Sequence, residues 1–342
     1  MKILHIANFG FNKQGAHFYC TDRKISAGLI ENGHFVYDFS FRDMARMGTI
    51  FKTKKLGANW ANKEILKIVE NLEPDLVLIG HSDLMSPLVL KEIKQCYPKT
   101  KIAFWYVDPL YLEQKLGFIH QFSPYLDAIF CTTGGEYLKK LKQPNLSVAY
   151  MPNVGHRNVE HLKQFDVDNI ENDFIFCGVV YKEPEREKFL KDLTDTLSSN
   201  QIPHQFYGCF GQAGVYGKAY YKVLAQARMG LSYSRRNDVQ LYSSDRIVQL
   251  TGNGLLTFSP RTPGFEKLYK ENEIVYFDDQ NYLAVKIKFY VENPDAAKKI
   301  AEAGWKKTKN SFNAQRITQF MLEVTFDLPL SEDYEWATEV YR

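Results

Sequence analysis

Several common catalytic signatures are missing from this 342-residue chain, and each absence closes off a class of function. Its five cysteines (Cys20, Cys96, Cys131, Cys177 and Cys209) are odd in number, far apart and never in C-x-x-C spacing. That excludes a disulfide framework and points to reduced, mostly buried thiols of a cytosolic protein. No clustered His or Cys shows the spacing of a zinc site. A phosphate loop of the G-x-x-x-x-G-K-[ST] kind, the dinucleotide fingerprint G-x-G-x-x-G and the serine elbow G-x-S-x-G are all absent. No apolar run approaches the ~18 residues of a membrane span. The opening M-K-I-L-H-I-A-N reads as a strand rather than a secretory leader. Charge of one sign is also lacking. With 43 basic and 40 acidic residues, the formal balance of +3 is too even to argue for nucleic acid.

What the chain does have is repeated alternation of short apolar runs with helical periods. Strands are expected at Lys2–Ala7, His34–Phe39, Leu76–Ile79, Lys101–Val107, Ala128–Cys131 and Val148–Met151. Helices are expected between them, at 16–32, 62–71, 85–95, 111–122 and 136–141. Residues 42–60 are basic and irregular, fitting a loop beside a binding cleft or a mobile flap. From Val154 to Asp173 the composition turns polar, and a linker is expected there. A second alternation follows, with strands at Phe174–Cys177, His204–Tyr207, Met229–Tyr233, Leu255–Phe258 and Glu273–Phe277.

Length and pattern together predict an α/β fold of two Rossmann-like domains facing across a cleft. The expected boundaries are 1–153 for the amino-terminal domain, 154–173 for the linker and 174–325 for the carboxyl-terminal domain. Residues 326–342 are left as a tail, in which Trp336 is expected to pack back on the body.

The stretch Leu241–Gly264 is the centre of the second half. Ser243 or Ser244 can cap a helix, Asp245 suits its first turn, and Arg246 adds a forked donor beside the free N–H groups. Gly252 and Gly254 stop that helix before a buried strand. Cations also stand at two other strand ends or helix starts. They are Lys182 and Arg186 after Gly178 and Tyr181, and Arg235 and Arg236 after Ser234. Several cations at one sheet edge suit a diphosphate. In the first half His81 and Asp108 follow strands, where a general base would be placed. Asp278 and Asp279 are adjacent, so on an extended strand end their side chains point apart and do not form a metal clamp.

The run S-S-D-R-I-V-Q-L-T-G-N-G-L-L-T, the E-I-V-Y-F-D-D strand and the helices Y-L-A-V-K-I-K-F-Y-V-E-N-P and A-A-K-K-I-A-E-A-G-W resemble the carboxyl-terminal domain of GT-B glycosyltransferases. They look most like the group-1-like branch that includes spore-maturation CgeB-type proteins. F-I-F-C-G-V-V-Y-K-E-P-E-R-E-K-F-L is similar to the first strand, loop and helix of that domain. The resemblance covers about Phe174 to Phe320. It implies that 174–325 is a nucleotide-sugar-binding domain and 1–153 the acceptor-side domain, with a nucleotide-sugar donor as substrate and no cofactor or metal. By motif it places Tyr181, Lys182 and Arg186 near the donor; Gly178, Ser234 and Arg235, at the same sheet edge, are further candidate donor-binding residues. Ser244, Asp245 and Arg246 would meet its phosphates or ribose. The family often carries a glutamate on the donor where this chain has Gln249, so the donor itself is left open.

The expected function is therefore metal-independent transfer of a sugar from a nucleotide-activated donor to a hydroxyl, in the synthesis of a bacterial surface glycan. The acceptor would be a glycan or lipid-linked, and the setting cytoplasmic, with a peripheral contact at the inner membrane surface left open. Arg246 would stabilise the leaving phosphate. If the reaction inverts the anomeric centre, His81 or Asp108 would activate the acceptor; if it retains, no such base is needed. A nucleotide-sugar epimerase of the same fold and a non-catalytic nucleotide-sugar-binding protein are the alternatives.

Overall fold

The computed structural model describes residues 1–342, the side chain of Lys115 excepted. The chain divides into two compact units, Met1–Val154 with Ala314–Arg342, and Gly155–Asn313.

The first unit is built on strands β1 (Lys2–Ala7), β2 (Phe35–Ser40), β3 (Leu76–Ile79), β4 (Lys101–Tyr106), β5 (Ala128–Cys131) and β6 (Ser147–Tyr150). Each of the four-residue runs LVLI and AIFC is buried along its whole length, as strands covered on both faces must be. The sheet order is β12-β6-β5-β4-β3-β1-β2, where β12 is Val340–Tyr341. Neighbouring strands run parallel except β12, which is antiparallel to β6. The chain leaves β1 for one edge, returns, and builds outward from β3. The order therefore reverses between β1 and β3, and a crevice opens there at the carboxyl ends of the strands.

The second unit repeats the plan with β7 (Asn172–Cys177), β8 (His204–Tyr207), β9 (Ala227–Leu231), β10 (Leu256–Pro260) and β11 (Val275–Phe277). Their order is β11-β10-β9-β7-β8, all parallel. The reversal here lies between β7 and β9. Phe174, Phe176, Met229, Leu231, Leu256 and Phe258 form its core with Leu190, Leu193 and Leu197 of the helix Pro184–Ser199.

Four local expectations are revised. The helix expected at 16–32 begins only at Thr21, because Gln14 and Gly15 take positive φ and turn the chain first. Residues 42–60 are not wholly irregular: the helices Phe41–Met47 and Ala58–Leu72 enclose a short loop. The run 111–122 is broken into a 3-10 turn and the helix Gly117–Phe122. Segment 154–173 is packed rather than free. Gly155 N–H donates to the Phe312 carbonyl at 2.8 Å, Gln164 N–H to the Asn253 carbonyl at 3.1 Å, and Glu160 is buried.

The division of the chain also differs from the expected one. The helix Ala314–Thr325 belongs to the first unit with the residues after it. It packs on the helix Thr21–Glu31, and Asn32 Nδ2 donates to the Gln315 carbonyl at 2.8 Å. Trp336 is fully buried, its ring 5.6 Å from that of Phe320. Its side chain thus closes over the same helix.

Candidate functional site

Each unit gathers its polar groups at its own reversal point. In the first unit, β3 ends in Gly80-His81-Ser82-Asp83 and β4 in Tyr106-Val107-Asp108. These loops, with Arg42, Gln114 and Phe118, line a cavity of about 390 Å³. Gly80 is required there. A Cβ on it would lie 2.1 Å from the Trp105 ring. That close approach lets the indole slide beneath the strand end, and the His81 ring stands edge-on against it at 4.9 Å. Trp105 is fixed in turn. Its Nε1–H donates to His5 Nε2 at 3.0 Å, His5 Nδ1 meets Ser26 Oγ at 2.8 Å, and the Ser26 hydroxyl donates to Asp38 at 2.6 Å. Burial pushes His5 down to about 4, so it stays neutral and structural.

The decisive contact is His81 Nδ1 to Asp22 Oδ1, at 3.1 Å. An ionised carboxylate only accepts, so Nδ1 carries the proton and Nε2 is the nitrogen left for the cavity. Asp22 sits in the first turn of the helix Thr21–Glu31, almost fully buried, and also accepts the Asn8 N–H at 2.9 Å. Burial works against its charge, but the hydrogen bond and charge of His81 with the Asn8 N–H outweigh burial and hold it below 3.8. For His81 burial alone would lower the pKa. The Asp22 hydrogen bond and charge, helped by Asp108, overcome that and raise it above 6.5. The arrangement is that of a general base whose tautomer and orientation are set by a carboxylate. Asp108 lines the same cavity. So does Tyr106, which is 6% exposed and whose hydroxyl has no hydrogen-bond partner among the described residues. Burial, then the nearby Asp108, raises its pKa and keeps it a donor. Asp22 and Tyr106 were not singled out in the sequence. Asp22 lies 59 residues from His81, and only the β1–β3 pairing brings the two together.

In the second unit the expected donor residues converge only in part. Arg246 opens the seven-residue helix Arg246–Gly252, whose N-cap is Asp245 with no side-chain capping bond. The expected cap from Ser243 or Ser244 is not made; Ser243 Oγ donates instead to the Ser244 carbonyl at 3.1 Å. Arg246 itself turns inward. Its Nε donates to the Cys177 carbonyl at 2.7 Å and its Nη1 to the Tyr233 carbonyl at 3.1 Å. Its guanidinium lies 4.9 Å from the Phe176 ring centroid. Arg186 meets the same carbonyl through Nη2 at 2.9 Å, and its Nη1 pairs with Glu183 at 2.7 Å. The two guanidiniums thus clamp the loop ends after β7 and β9. Burial, then the charge of Arg186, pushes Arg246 down to about 10, so it remains a cation. Gly178 leaves room for it, since a Cβ there would stand 2.5 Å from Nη2.

Arg235 reaches Glu183 at 2.8 Å, so one carboxylate serves two arginines while Arg246 has only dipoles. Two of these arginines, Arg186 and Arg246, are buried and Arg235 is exposed beside them, so the switch point offers cations that suit an anion. Tyr181 is exposed, and Lys182, at φ 56°, lays its ammonium 5.2 Å from that ring. Ser234 is buried, its N–H bound to Asn237 Oδ1 at 2.9 Å. Gln249 is buried within the short helix, and its backbone carbonyl accepts from Asn253 Nδ2 at 2.7 Å. Asp278 pairs with Arg261 at 3.3 Å, while Asp279 caps the helix Gln280–Glu292. Among the described residues no group of three or more His, Cys, Asp or Glu could hold a metal ion. Nor is any described helix long and apolar enough to cross a membrane.

The sequence-family model described as glycosyl transferase-like matches residues 186–323. No curated protein matches the chain by sequence. Among solved structures, HepE from Anabaena in complex with UDP-glucose is similar over 96% of this chain and 100% of its own, with TM-score 0.55 and 11% identity. The β-glucosyltransferase of T4 phage is similar over 95% of this chain and 99% of its own, with TM-score 0.54 and 13% identity. TarM is similar over 78% of this chain, with TM-score 0.53 and 10% identity, and this chain spans 58% of its length. At these identities the likeness is one of fold: α/β units on parallel sheets, as in GT-B glycosyltransferases.

Proposed function

We propose that the chain is a glycosyltransferase that moves a sugar from a nucleotide-activated donor to a hydroxyl. One observation carries this reading: the carboxylate-oriented imidazole of His81 beside a cavity at the first unit's switch point. The match of residues 186–323 to a glycosyl transferase-like family supports it. The resemblance of the same region to CgeB-type proteins favours a bacterial surface glycan, with a glycan or lipid-linked acceptor. In this reading the acceptor hydroxyl gives its proton to His81 Nε2, and its oxygen forms the new bond to the anomeric carbon. The bond from that carbon to the diphosphate breaks on the opposite face, so the reaction inverts. Asp22 is a positioning residue that stabilises the imidazolium formed, and Tyr106 donates to the acceptor. The second unit holds the donor. Arg186, Arg235 and Arg246 carry the charge that balances the diphosphate. A panel of nucleotide sugars tested for binding, and for transfer with product anomers read by NMR, checks the reading. No nucleotide release with any donor, or a retained anomer, would overturn it.

Asp22→Asn gives a second check, in pH dependence. The folded pKa of His81 is raised, so the active neutral base accumulates only above 6.5. The rise of kcat/KM with pH should therefore have its midpoint above that value. In D22N the raising influence of Asp22 is gone, burial dominates and the midpoint moves down. The pair also contributes stability, in a definite window. The His81 part is complete below 6.5 and lost as pH rises through its folded value; the Asp22 part is present above 3.8 and lost as pH falls through its own. An unchanged pH profile in D22N would remove Asp22 from the mechanism.

Metal independence is a third expectation. Three arginines crowd one switch point, and Asp278 and Asp279 are engaged in an ion pair and a helix cap. Transfer should survive EDTA. Loss on chelation with recovery in magnesium or manganese would contradict it.

A further inference from the structure

The loop between the helices Phe41–Met47 and Ala58–Leu72 carries an unusual surface. Met47 is 72% exposed, Ile50 90%, Phe51 71% and Leu56 65%. Burying such side chains in an apolar medium is favourable, and a soluble surface rarely groups four of them within ten residues. The loop is nonetheless structured. Lys52 N–H donates to the Thr49 carbonyl at 3.1 Å, and Gly57 N–H to the Thr53 carbonyl at 3.3 Å. Basic residues are interleaved with the apolar ones. Between Arg42 and Leu56 the sequence has Arg42, Arg46, Lys52, Lys54 and Lys55 against a single acid, Asp43. Arg46 pairs with that Asp43 at 3.2 Å, and Arg42 and Lys54 face Asp83 at 2.8 and 3.9 Å. Lys52 and Lys55 are exposed at the same turn as Ile50 and Phe51.

We infer that this loop is a membrane-docking surface, which inserts Ile50 and Phe51 into the headgroup region of an anionic bilayer while Lys52 and Lys55 meet lipid phosphates. Apolar tips flanked by lysines are what an interface of that kind selects. A nucleic acid would use the cations and leave Ile50 and Phe51 in water. A protein partner would need complementary acids and a fitted apolar surface, and an anionic bilayer supplies both without a specific fit. The inference stands apart from the transferase reading, save for one consequence. Asp83 and Arg42 tie the loop to the rim of the first unit's cavity. Docking would therefore bring that cavity to the headgroup level, where a lipid-linked acceptor presents its hydroxyl.

The test is co-sedimentation of the full chain with phosphatidylcholine vesicles, with and without phosphatidylglycerol. Wild type should pellet with the anionic vesicles, weakly with neutral ones, and less as salt is raised. Ile50→Glu/Phe51→Glu and Lys52→Glu/Lys55→Glu should each lower the bound fraction at least about tenfold. All four side chains are exposed, so the melting temperatures should stay near wild type. In a Phe51→Trp variant the emission of the new indole should shift to the blue on anionic vesicles. Wild type left in the supernatant, equal binding to neutral vesicles, or binding unmoved by both double variants would overturn the inference. So would a self-association that the Ile50→Glu/Phe51→Glu pair abolishes in the absence of lipid binding.

Discussion

His81→Ala should lower kcat by about 10²–10⁴-fold while leaving donor binding near wild type. The expectation follows from the division of labour in the first unit. Asp22 occupies Nδ1, and the other nitrogen has no structural duty to account for it. Removing the ring also removes an edge contact with Trp105, but that indole keeps its hydrogen bond to His5. The loss should therefore fall on turnover and not on the fold. Single-turnover rates on a saturating donor, with the melting temperature measured in parallel, would read both. A rate within a few-fold of wild type would move the base to Asp108, which lines the same cavity, or argue that no base is used.

Arg246→Ala should strike both stability and donor binding. Its guanidinium bridges the Cys177 and Tyr233 carbonyls across the reversal point and covers the Phe176 ring. Truncation leaves the part-buried Cys177 carbonyl without its charged donor, at a cost of about 1–3 kcal/mol. Loss of repulsion with Arg186 offsets part of that. In a unit of this size the melting temperature should fall by roughly 5–10 °C. Arg246→Lys should recover little, because an ammonium cannot fork across two carbonyls. Nucleoside diphosphates should raise the melting temperature of wild type and do so less in either variant. An Arg246→Ala protein as stable as wild type would show that the clamp is dispensable. An undiminished response to nucleotide would remove Arg246 from the anion site.

Much of the fold was legible because parallel strands buried on both faces leave nearly continuous apolar runs. L-V-L-I and A-I-F-C could hardly be anything else between turn residues. His81 was legible for the same reason, as the first titratable group after such a run. Asp22 was not, because within its own helix it looks like an ordinary first-turn acid, and only sheet order gives it a partner. Arg246 was placed correctly at a helix start, yet a sequence does not show which carbonyls point at a side chain. Its donors go to the loop ends that it clamps. The helix Ala314–Thr325 is plain from its period, but a helical period says nothing about which unit receives the apolar face. Asn32 and the close approach at Gly28 decide that, and both lie far upstream.

That return has a consequence for how the chain matures. Unit Gly155–Asn313 is continuous in sequence and can complete its core as soon as it leaves the ribosome. The first unit begins earlier and must finish later. Until Ala314–Arg342 has been made, the apolar flank of the helix Thr21–Glu31 and the edge of β6 lack their cover. A nascent chain halted between residues 155 and 313 would hold His81 and the helix that carries Asp22 without the piece that closes their unit. The part synthesised first is thus the more exposed to chaperones and proteases during synthesis.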